Sequence, residues 1–438
     1  LVRPMTPEAP LSHRRVLRIA LPIVLANVTV PLIGLVDTAV VGQLGEAAPI
    51  GAVGLGAVIL AAVYWIFGFL RMGTTGLAAQ AHGAGDTGET GAILLRGLLI
   101  AALAGLILIA VQGPFLWAAF QLAPASEAVE DLTRSYLGIR IWGAPATIAL
   151  YALTGWLIAL ERTRAVLALQ LLMNGANIAL DVWFVLGLGW GVEGVASASL
   201  IAEYSGLALG LWLCREAFLG ARGRVFDRER LRRMASVNGA IMLRSILLQG
   251  SFTTFLFMAA GKGDEVLAAN QILLQFLEVM AYLLDGFAFA AETLVGQAVG
   301  ARRAAALRRS VRLTAIWGGA TALLMGAGFA ATGPMIIDFM TTSTEVRETA
   351  RLYLPWVVLA PLVSIASYML DGIFIGATRA REMLECMVIS VVAYVLALWA
   401  FAGWDNHGLW AALMVLNLMR GLTMALYYPR IPASLRPQ

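Results

Sequence analysis

Apolar segments long enough to cross a membrane follow one another along almost the whole chain. A helix needs about 20 mostly apolar residues to cross the hydrocarbon core, and the sequence divides at Gly, Pro and charged residues into twelve such segments. Hydrophobic residues occupy 60% of the 438 positions and charged residues only 13%, whereas soluble domains are about half apolar and a quarter charged. The sequence therefore predicts an all-α integral membrane protein. The twelve predicted helices lie near 16–42, 50–81, 92–113, 128–159, 165–187, 192–214, 236–260, 265–300, 308–331, 346–377, 384–402 and 407–428.

Charged residues divide the connecting segments into two alternating sets. Arg is concentrated at the N-terminus, after helix 6 and in the loops after helices 8 and 10, while the intervening loops carry mostly acids. Basic loops remain cytoplasmic, so we expect both termini in the cytoplasm and a multi-pass protein of the inner membrane. The net charge of +4 then reflects orientation in the lipid bilayer and implies no nucleic-acid partner. We expect a monomer.

An internal repeat relates the two halves of the chain. The segment "AQAHGAG" at 79–85 matches "GQAVGAR" at 296–302, which lies 217 positions later. The same offset pairs further residues: Tyr136 with Tyr353, Gly155 with Gly372, Arg162 with Arg379, and Gly191 with Gly408. The spacing indicates that a unit of six helices was duplicated.

The duplication predicts two lobes. Residues 1–214 form a six-helix N-terminal lobe, 215–235 a basic cytoplasmic linker and 236–438 a six-helix C-terminal lobe. Because six is even, both halves enter the membrane from the same side, so the repeat is parallel and its pseudo-two-fold axis runs along the membrane normal. Matched lobes can rock to expose the seam between them to either side, which favours a transporter working by alternating access. We expect no enzyme.

Several segments carry a family resemblance. These are "ALPIVLANV", "GLVDTAVVG", "GFLRMGTTGLAAQAHGAGD" and "DGIFIGATRAREM". They resemble the DinF-like branch of the MATE (multidrug and toxic compound extrusion) transporters, and the resemblance extends over nearly the whole chain. It implies an ion-coupled antiporter with a central cavity between two six-helix lobes, exporting bulky organic, often cationic, xenobiotics or metabolites.

Helix 5 carries a polar face in an otherwise apolar span. Asn177 and Asp181 are four residues apart and share one face, and Asn174 lies a turn earlier. Helix 1 contributes Asp37 to the same lobe. The resemblance implies an ion-coupling site that joins Asp37, Asn177, Asp181 and, where the family can carry Thr, Ser199. We assign Asn174 to the same site.

Two coupling ions suit this chemistry. Neighbouring carboxylates repel in a low dielectric and can share a proton, whereas the same oxygens can ligate a hard cation. We expect H+, with Na+ as the alternative, and no cofactor or resident metal. A structural alternative has Asp37 capping a helix end and Asp181 bonded to neighbouring hydroxyls. Their repeat partners are Thr254 and Leu398, and this asymmetry favours a specialised role.

Helix 8 carries a second polar stripe. It consists of Gln271, Glu278, Asp285 and Glu292, which recur every seven residues. An ideal helix drifts only about 20° per heptad, so the four share one face. Arg244 on helix 7 is a candidate partner, and Asp371 on helix 10 adds another carboxylate. Two interpretations stay open: a substrate-cavity wall that attracts cations, or an ion-pair network between helices 7, 8 and 10.

Pro22 and Pro31 stand on the Asp37 helix. Each removes an amide donor and favours a kink, so we predict a hinge whose bending is coupled to protonation. Tyr136 is a candidate contact for an aromatic cation in the substrate cavity, with packing as the alternative.

Rival classes find little support. The segment "GAGD" at 83–86 fits the GxGD pattern of intramembrane aspartyl proteases, but the sequence contains no Tyr-Asp pair. It also contains no H-E-x-x-H and no G-x-x-x-x-G-K-[ST] motif, so we assign no catalytic residues and no ATP-driven step. The main alternative is a flippase for a lipid-linked precursor, of the same broad superfamily. Such a flippase would need a more cationic cavity, whereas the intramembrane charge here is mainly acidic.

Overall fold

The computed structural model describes residues 11–122, 125–220 and 225–435. Within these ranges the protein is helical and has no strand, and twelve helices are long and apolar enough to span a membrane. They are α1 (His13–Gly42), α2 (Ala47–Gly83), α3 (Thr87–Ala110), α4 (Glu127–Ala159), α5 (Thr163–Gly187), α6 (Gly191–Leu213), α7 (Arg228–Ala260), α8 (Asp264–Gly300), α9 (Ala304–Met340), α10 (Thr344–Gly376), α11 (Ala380–Ala400) and α12 (Ala402–Ala433). The predicted fold class is confirmed.

Two helix ends differ more than the others from the predicted ones. Helix α7 begins at Arg228 instead of near 236, because Arg and Glu are good helix formers and extend the span beyond its apolar part. Helix α9 continues through Pro334 to Met340 instead of ending near 331, since one proline removes a single hydrogen bond from a long helix.

The predicted linker is partly helical. A short helix, Glu216–Gly220, follows α6, and the first turns of α7 lie within the range 215–235. Residues 221–224 lie outside the described residues. Arg96 of α3 holds this region, because its Nε donates to the Val225 carbonyl at 2.8 Å and its Nη1 to Glu89 at 2.8 Å.

Helix α1 is interrupted where the sequence places its second proline. It consists of His13–Val28 and Val30–Gly42, and Pro31 stands in the first turn of the second segment. At the break, the Thr29 hydroxyl donates to the Ala26 carbonyl at 2.7 Å. Pro22 lies inside the first segment. The hinge assigned to these prolines stays a prediction.

The repeat reappears in how the helices pack. A Cβ atom at Gly155 on α4 would lie 2.5 Å from the Arg71 carbonyl oxygen of α2. The corresponding Cβ at Gly372 on α10 would overlap the Ala288 carbonyl oxygen of α8. Each residue of the first contact lies 217 positions before its counterpart in the second contact. The two halves therefore repeat the same close approach of helix backbones.

Backbone conformation follows the repeat as well. Glu161 lies just after the end of α4, and Thr378 lies just after the end of α10. Their φ values are 58° and 53°. Gly85 and Arg302, after α2 and α8, have φ values of 75° and 55°. Each pair is again 217 positions apart. Left-handed residues end the equivalent helices of both halves in the same way.

The close approach at Gly155 predicts a steric effect on stability. We expect Gly155→Val to destabilise the protein by about 1–3 kcal/mol or more, because its side chain meets backbone that cannot rotate away. Gly138→Val on the same helix is the matched control, since a Cβ there would meet nothing within 4 Å. Thermal unfolding of the two purified variants in detergent makes the comparison, and equal melting temperatures would contradict it.

The chain forms two compact units. Among the described residues, the first contains 11–24, 83–85 and 239–435, and the second contains 25–82 and 86–238 without 123–124 and 221–224. The first unit thus contains the leading part of α1, and the second contains the first turns of α7. The predicted boundaries at 214 and 236 stay a prediction.

Equivalent polar contacts hold these leading segments. In the first unit, Arg15 Nη2 donates to Gln297 Oε1 at 3.2 Å. In the second unit, Arg233 Nη2 donates to Gln80 Oε1 at 2.9 Å. Gln80 and Gln297 are the matched glutamines of the repeated motif. The motif glutamine in each unit therefore binds an arginine near the start of the first helix of the opposite repeat.

Candidate functional site

Two buried carboxyl groups meet within the second unit. Asp37 lies in the second segment of α1 and is 8% exposed, and Asp181 on α5 is 0% exposed. Their carboxyl groups lie close enough to act on each other. A hydrogen bond between two carboxyls needs a proton on one of them, so this arrangement provides a place for at least one exchangeable proton.

The backbone changes geometry directly after Asp181. The α-helical part of α5, Thr163–Asp181, ends there, and the chain continues as a π-helix over Val182–Gly187. Wide π turns are rare and frequently occur at functional sites. Nothing in the sequence pattern indicated this change, because the residues that follow Asp181 are apolar and continue the span.

Asparagines of α5 connect this carboxyl pair to its surroundings. Asn177 Nδ2 donates to Ser199 Oγ on α6 at 3.1 Å. One turn earlier, Asn174 Nδ2 donates to Thr29 Oγ1 at 2.7 Å, at the break in α1. Asn174 Oδ1 in turn accepts a hydrogen bond from Gln170 at 2.8 Å. The structure therefore brings together all five residues assigned to the ion-coupling site, while their role in coupling stays a prediction.

Several oxygens in this site have no donor. They are Asp37 Oδ1, both carboxyl oxygens of Asp181, and Asn177 Oδ1, all buried. Buried polar atoms are nearly always hydrogen-bonded, and exceptions call for a ligand, an ion or a proton. The group of oxygens is suited to bind protons or a small hard cation.

A buried ion pair adjoins the two carboxyls. Arg140 Nη2 on α4 lies 2.8 Å from Glu203 Oε1 on α6, and each side chain is 11% exposed. Arg140 also acts electrostatically on Asp37 and Asp181. Neither Arg140 nor Glu203 was assigned to the site from the sequence, because a span sequence does not show whether an arginine pairs inside the protein or extends to an interface.

Tyr136 belongs with this ion pair. Its phenol is a hydrogen-bonding neighbour of Arg140, and its ring packs against Gly56, where any Cβ would overlap it. The residue is 2% exposed. The other residues predicted to line the substrate cavity lie in the first unit. Tyr136 lies beside the carboxyl site, and its contact with a substrate stays a prediction.

The first unit contains a different charge cluster. The Asp371 carboxylate on α10 accepts hydrogen bonds from Arg244 on α7 and from Arg420 on α12, the latter at 2.6 Å. Arg244 and Arg420 are 5% and 4% exposed, and Arg420 also donates to Asn417 at 2.9 Å. The observed ion pairs therefore join helices 7, 10 and 12. Sequence analysis missed Arg420, whose only signal was a single arginine within a span.

The stripe on α8 becomes steadily more buried along the helix. Gln271 and Glu278 are exposed, Asp285 is half-buried and Glu292 is 1% exposed. The four residues lie on one continuous helix, as their spacing predicted. Whether Glu278 and Asp285 meet a substrate stays a prediction.

Among the described residues, no group of three His, Cys, Asp or Glu side chains could hold a metal ion. The site instead combines two adjoining carboxyls, amides and a hydroxyl within one repeat of a twelve-span helical protein. Ionisable residues buried in a span mark ion and substrate pathways, and repeated six-helix halves are an architecture of secondary transporters. Fold and site together define a membrane transporter.

Known proteins identify the family. The family model MatE matches residues 22–183 and 240–399, which is more than half of the chain. The chain is 39% identical over 424 residues to the DNA damage-inducible protein F of Escherichia coli K12, covering 96% of this chain and 92% of the relative. This protein belongs to the MATE family of multidrug and toxic compound extrusion transporters. The resemblance in the sequence is confirmed.

Other relatives agree. A probable multidrug resistance protein NorM of Deinococcus radiodurans is 29% identical over 438 residues, covering 94% of this chain and 93% of the relative. The MATE transporter VcmN of Vibrio cholerae, in a bent form, has a TM-score of 0.86 at 21% identity over 97% of both chains. A MOP superfamily transporter of Pyrococcus furiosus has a TM-score of 0.83 at 20% identity, again over 97% of both chains. The two solved structures share the fold.

Proposed function

We propose that this protein is a proton-coupled antiporter of the inner membrane that exports organic, often cationic, compounds by alternating access. The buried Asp37–Asp181 pair carries the proposal. Two carboxyls in contact can take up and release protons in a place from which bulk water is largely excluded. A positively charged substrate and a proton neutralise the same carboxylates, so binding of one favours release of the other.

The surroundings of the pair favour protons over sodium. The donor-free oxygens of Asp37, Asp181 and Asn177 resemble the ligands that a hard cation prefers. The Arg140 guanidinium, however, acts on both carboxyls and would repel a second fixed cation at short range. A proton needs only one oxygen atom, whereas a bound Na+ needs a shell of several oxygen ligands, which a neighbouring guanidinium cannot supply. Na+ remains the alternative coupling ion.

The substrate class is proposed from the relatives and the charge of the site. A relative named as a probable multidrug resistance protein aligns over 94% of this chain. Asp37, Asp181 and Glu203 supply three carboxyls against the single guanidinium of Arg140 within this cluster. Excess negative charge attracts cations, which suits organic cations as cargo.

Transport into sealed vesicles separates the two coupling ions. The purified protein is reconstituted, a proton or a sodium gradient is imposed, and uptake of a cationic dye is recorded. We expect the proton gradient alone to drive uptake, and Asp181→Asn to lower the initial rate of uptake strongly. Glu193→Gln, which replaces an exposed acid on α6, should leave uptake unchanged. Uptake driven by sodium alone would refute proton coupling.

The charge cluster around Asp371 is the observation that favours the flippase alternative. Arg244 and Arg420 surround the single carboxylate of Asp371, and excess guanidinium suits the pyrophosphate of a lipid-linked precursor. The same vesicles test this alternative with a fluorescent lipid-linked pyrophosphate. Translocation of the lipid without gradient-driven dye uptake would replace the antiporter proposal.

A further inference from the structure

The Arg140–Glu203 ion pair is only partly satisfied. One contact of 2.8 Å joins Nη2 to Oε1, while Arg140 Nε, Arg140 Nη1 and Glu203 Oε2 are buried without a partner. Arginine and carboxylate commonly pair through two parallel N–H···O hydrogen bonds, which use two nitrogens of the guanidinium and both carboxylate oxygens. Two N–H groups of the Arg140 guanidinium therefore have no acceptor, and the neighbouring Asp37 Oδ1 and both carboxyl oxygens of Asp181 have no donor.

The fold makes room for this arrangement. Glu203 lies against Gly143, in the 3₁₀ turn Ile141–Gly143 that follows Arg140, and a Cβ at Gly143 would overlap Glu203 Oε2. Tyr136, one turn before Arg140, neighbours the guanidinium and also lies within electrostatic reach of Asp37. The Glu203 carboxylate is therefore held in position by the backbone at Gly143, while the guanidinium that it contacts also acts on Asp37 and Asp181.

Counting charge shows what the guanidinium does there. The charged and titratable groups facing it are Asp37 from α1, Tyr64 from α2, Tyr136 from α4, Asp181 from α5 and Glu203 from α6. Tyr151 interacts electrostatically with Glu203 and with Arg71. With neutral tyrosines and an ionised Glu203, the three carboxyls and Arg140 sum to zero charge when Asp37 and Asp181 are both protonated. Each proton released leaves one uncompensated negative charge.

We propose that Arg140 is a positioning residue of the coupling site, shared between Glu203 and the Asp37–Asp181 pair. While Asp37 and Asp181 are protonated, the guanidinium pairs with Glu203. When either carboxyl loses a proton, Arg140 Nε and Nη1 donate hydrogen bonds to it. Arg140 thereby sets how readily protons are exchanged for a cationic substrate. This inference rests on the proposed proton coupling.

Equilibrium binding of radiolabelled tetraphenylphosphonium to the purified full-length protein, from mildly acid to mildly alkaline pH, tests it. In the parent, binding should weaken as protons neutralise the pair. Arg140→Gln removes the competing cation, so protons are retained longer and the midpoint should move to higher pH by about one unit. Glu203→Gln removes an anion and should move the midpoint to lower pH by a similar amount.

Two further variants complete the design. Arg140→Lys keeps the charge and should leave the midpoint near that of the parent, and the double variant Arg140→Gln/Glu203→Gln should return towards it. A purely structural ion pair would lower thermal stability without moving the midpoint. Should Arg140→Gln fail to fold, Glu203→Gln carries the test. Midpoints that coincide with the parent overturn the inference and leave proton coupling intact, whereas a parent whose binding does not depend on pH overturns both.

Discussion

Replacing Asp37 and Asp181 together by Asn is expected to cost no more proton-driven export than replacing either one. The two carboxyls act on each other at short range, and strongly interacting carboxyls exchange protons as one unit. Asn matches Asp in size but carries no exchangeable proton. In either single variant the remaining carboxyl has no second carboxyl with which to share one, so the unit is already lost.

The loss of transport rate in the double variant distinguishes one shared proton site from two independent sites. If each single variant lost about tenfold of its transport rate, independent sites would lose about hundredfold together, because distant effects multiply. A shared unit would still lose about tenfold. Initial rates of dye uptake under a proton gradient, normalised to reconstituted protein, give the comparison. Glu193→Gln combined with Asp181→Asn serves as the control double variant, and a multiplicative loss for the Asp37 and Asp181 pair would show that the two residues act separately.

Sequence periodicity could predict much of this site. Asn177 and Asp181 share a face because four residues make about one helical turn, and Asp37 was conspicuous as an acid within an apolar span without a repeat counterpart. The contact between Arg140 and Glu203 could not be derived in this way. It depends on how α4 rotates against α6, and one-dimensional spacing contains no information on the rotation of one helix relative to another.

The fold was predictable for the same kind of reason. Membrane thickness sets the length of each span, and the duplicated motifs revealed two equivalent halves. The break at Thr29 and the π-helix after Asp181 were less accessible. Pro31 indicated a weakened helix, but where hydrogen bonding stops depends on whether neighbouring groups, such as the Asn174 amide that reaches Thr29, satisfy the freed backbone.

Asp371→Asn is expected to destabilise the protein far more than Arg244→Gln. Asp371 is the only carboxylate bonded to both Arg244 and Arg420 in the described ion pairs. Without it, two nearly fully buried guanidiniums would lie next to one another, and breaking a buried pair in this way costs about 3–5 kcal/mol. Arg244→Gln instead leaves one guanidinium, Arg420, with one carboxylate at 2.6 Å, so charge stays balanced.

Thermal unfolding of the purified variants in detergent measures the difference, and tetraphenylphosphonium binding measures whether the cluster also meets cargo. Glu278→Gln removes an acid of the same unit from an exposed position on α8 and should change stability by no more than about 0.5 kcal/mol. The ion-pair interpretation requires that Asp371→Asn lower the melting temperature well below that of Arg244→Gln. An Asp371→Asn variant that melts like the parent but no longer binds the cation would instead place Asp371 in the wall of the substrate cavity. A carboxylate that serves only as a counter-ion for two arginines cannot be removed without lowering the stability of the fold.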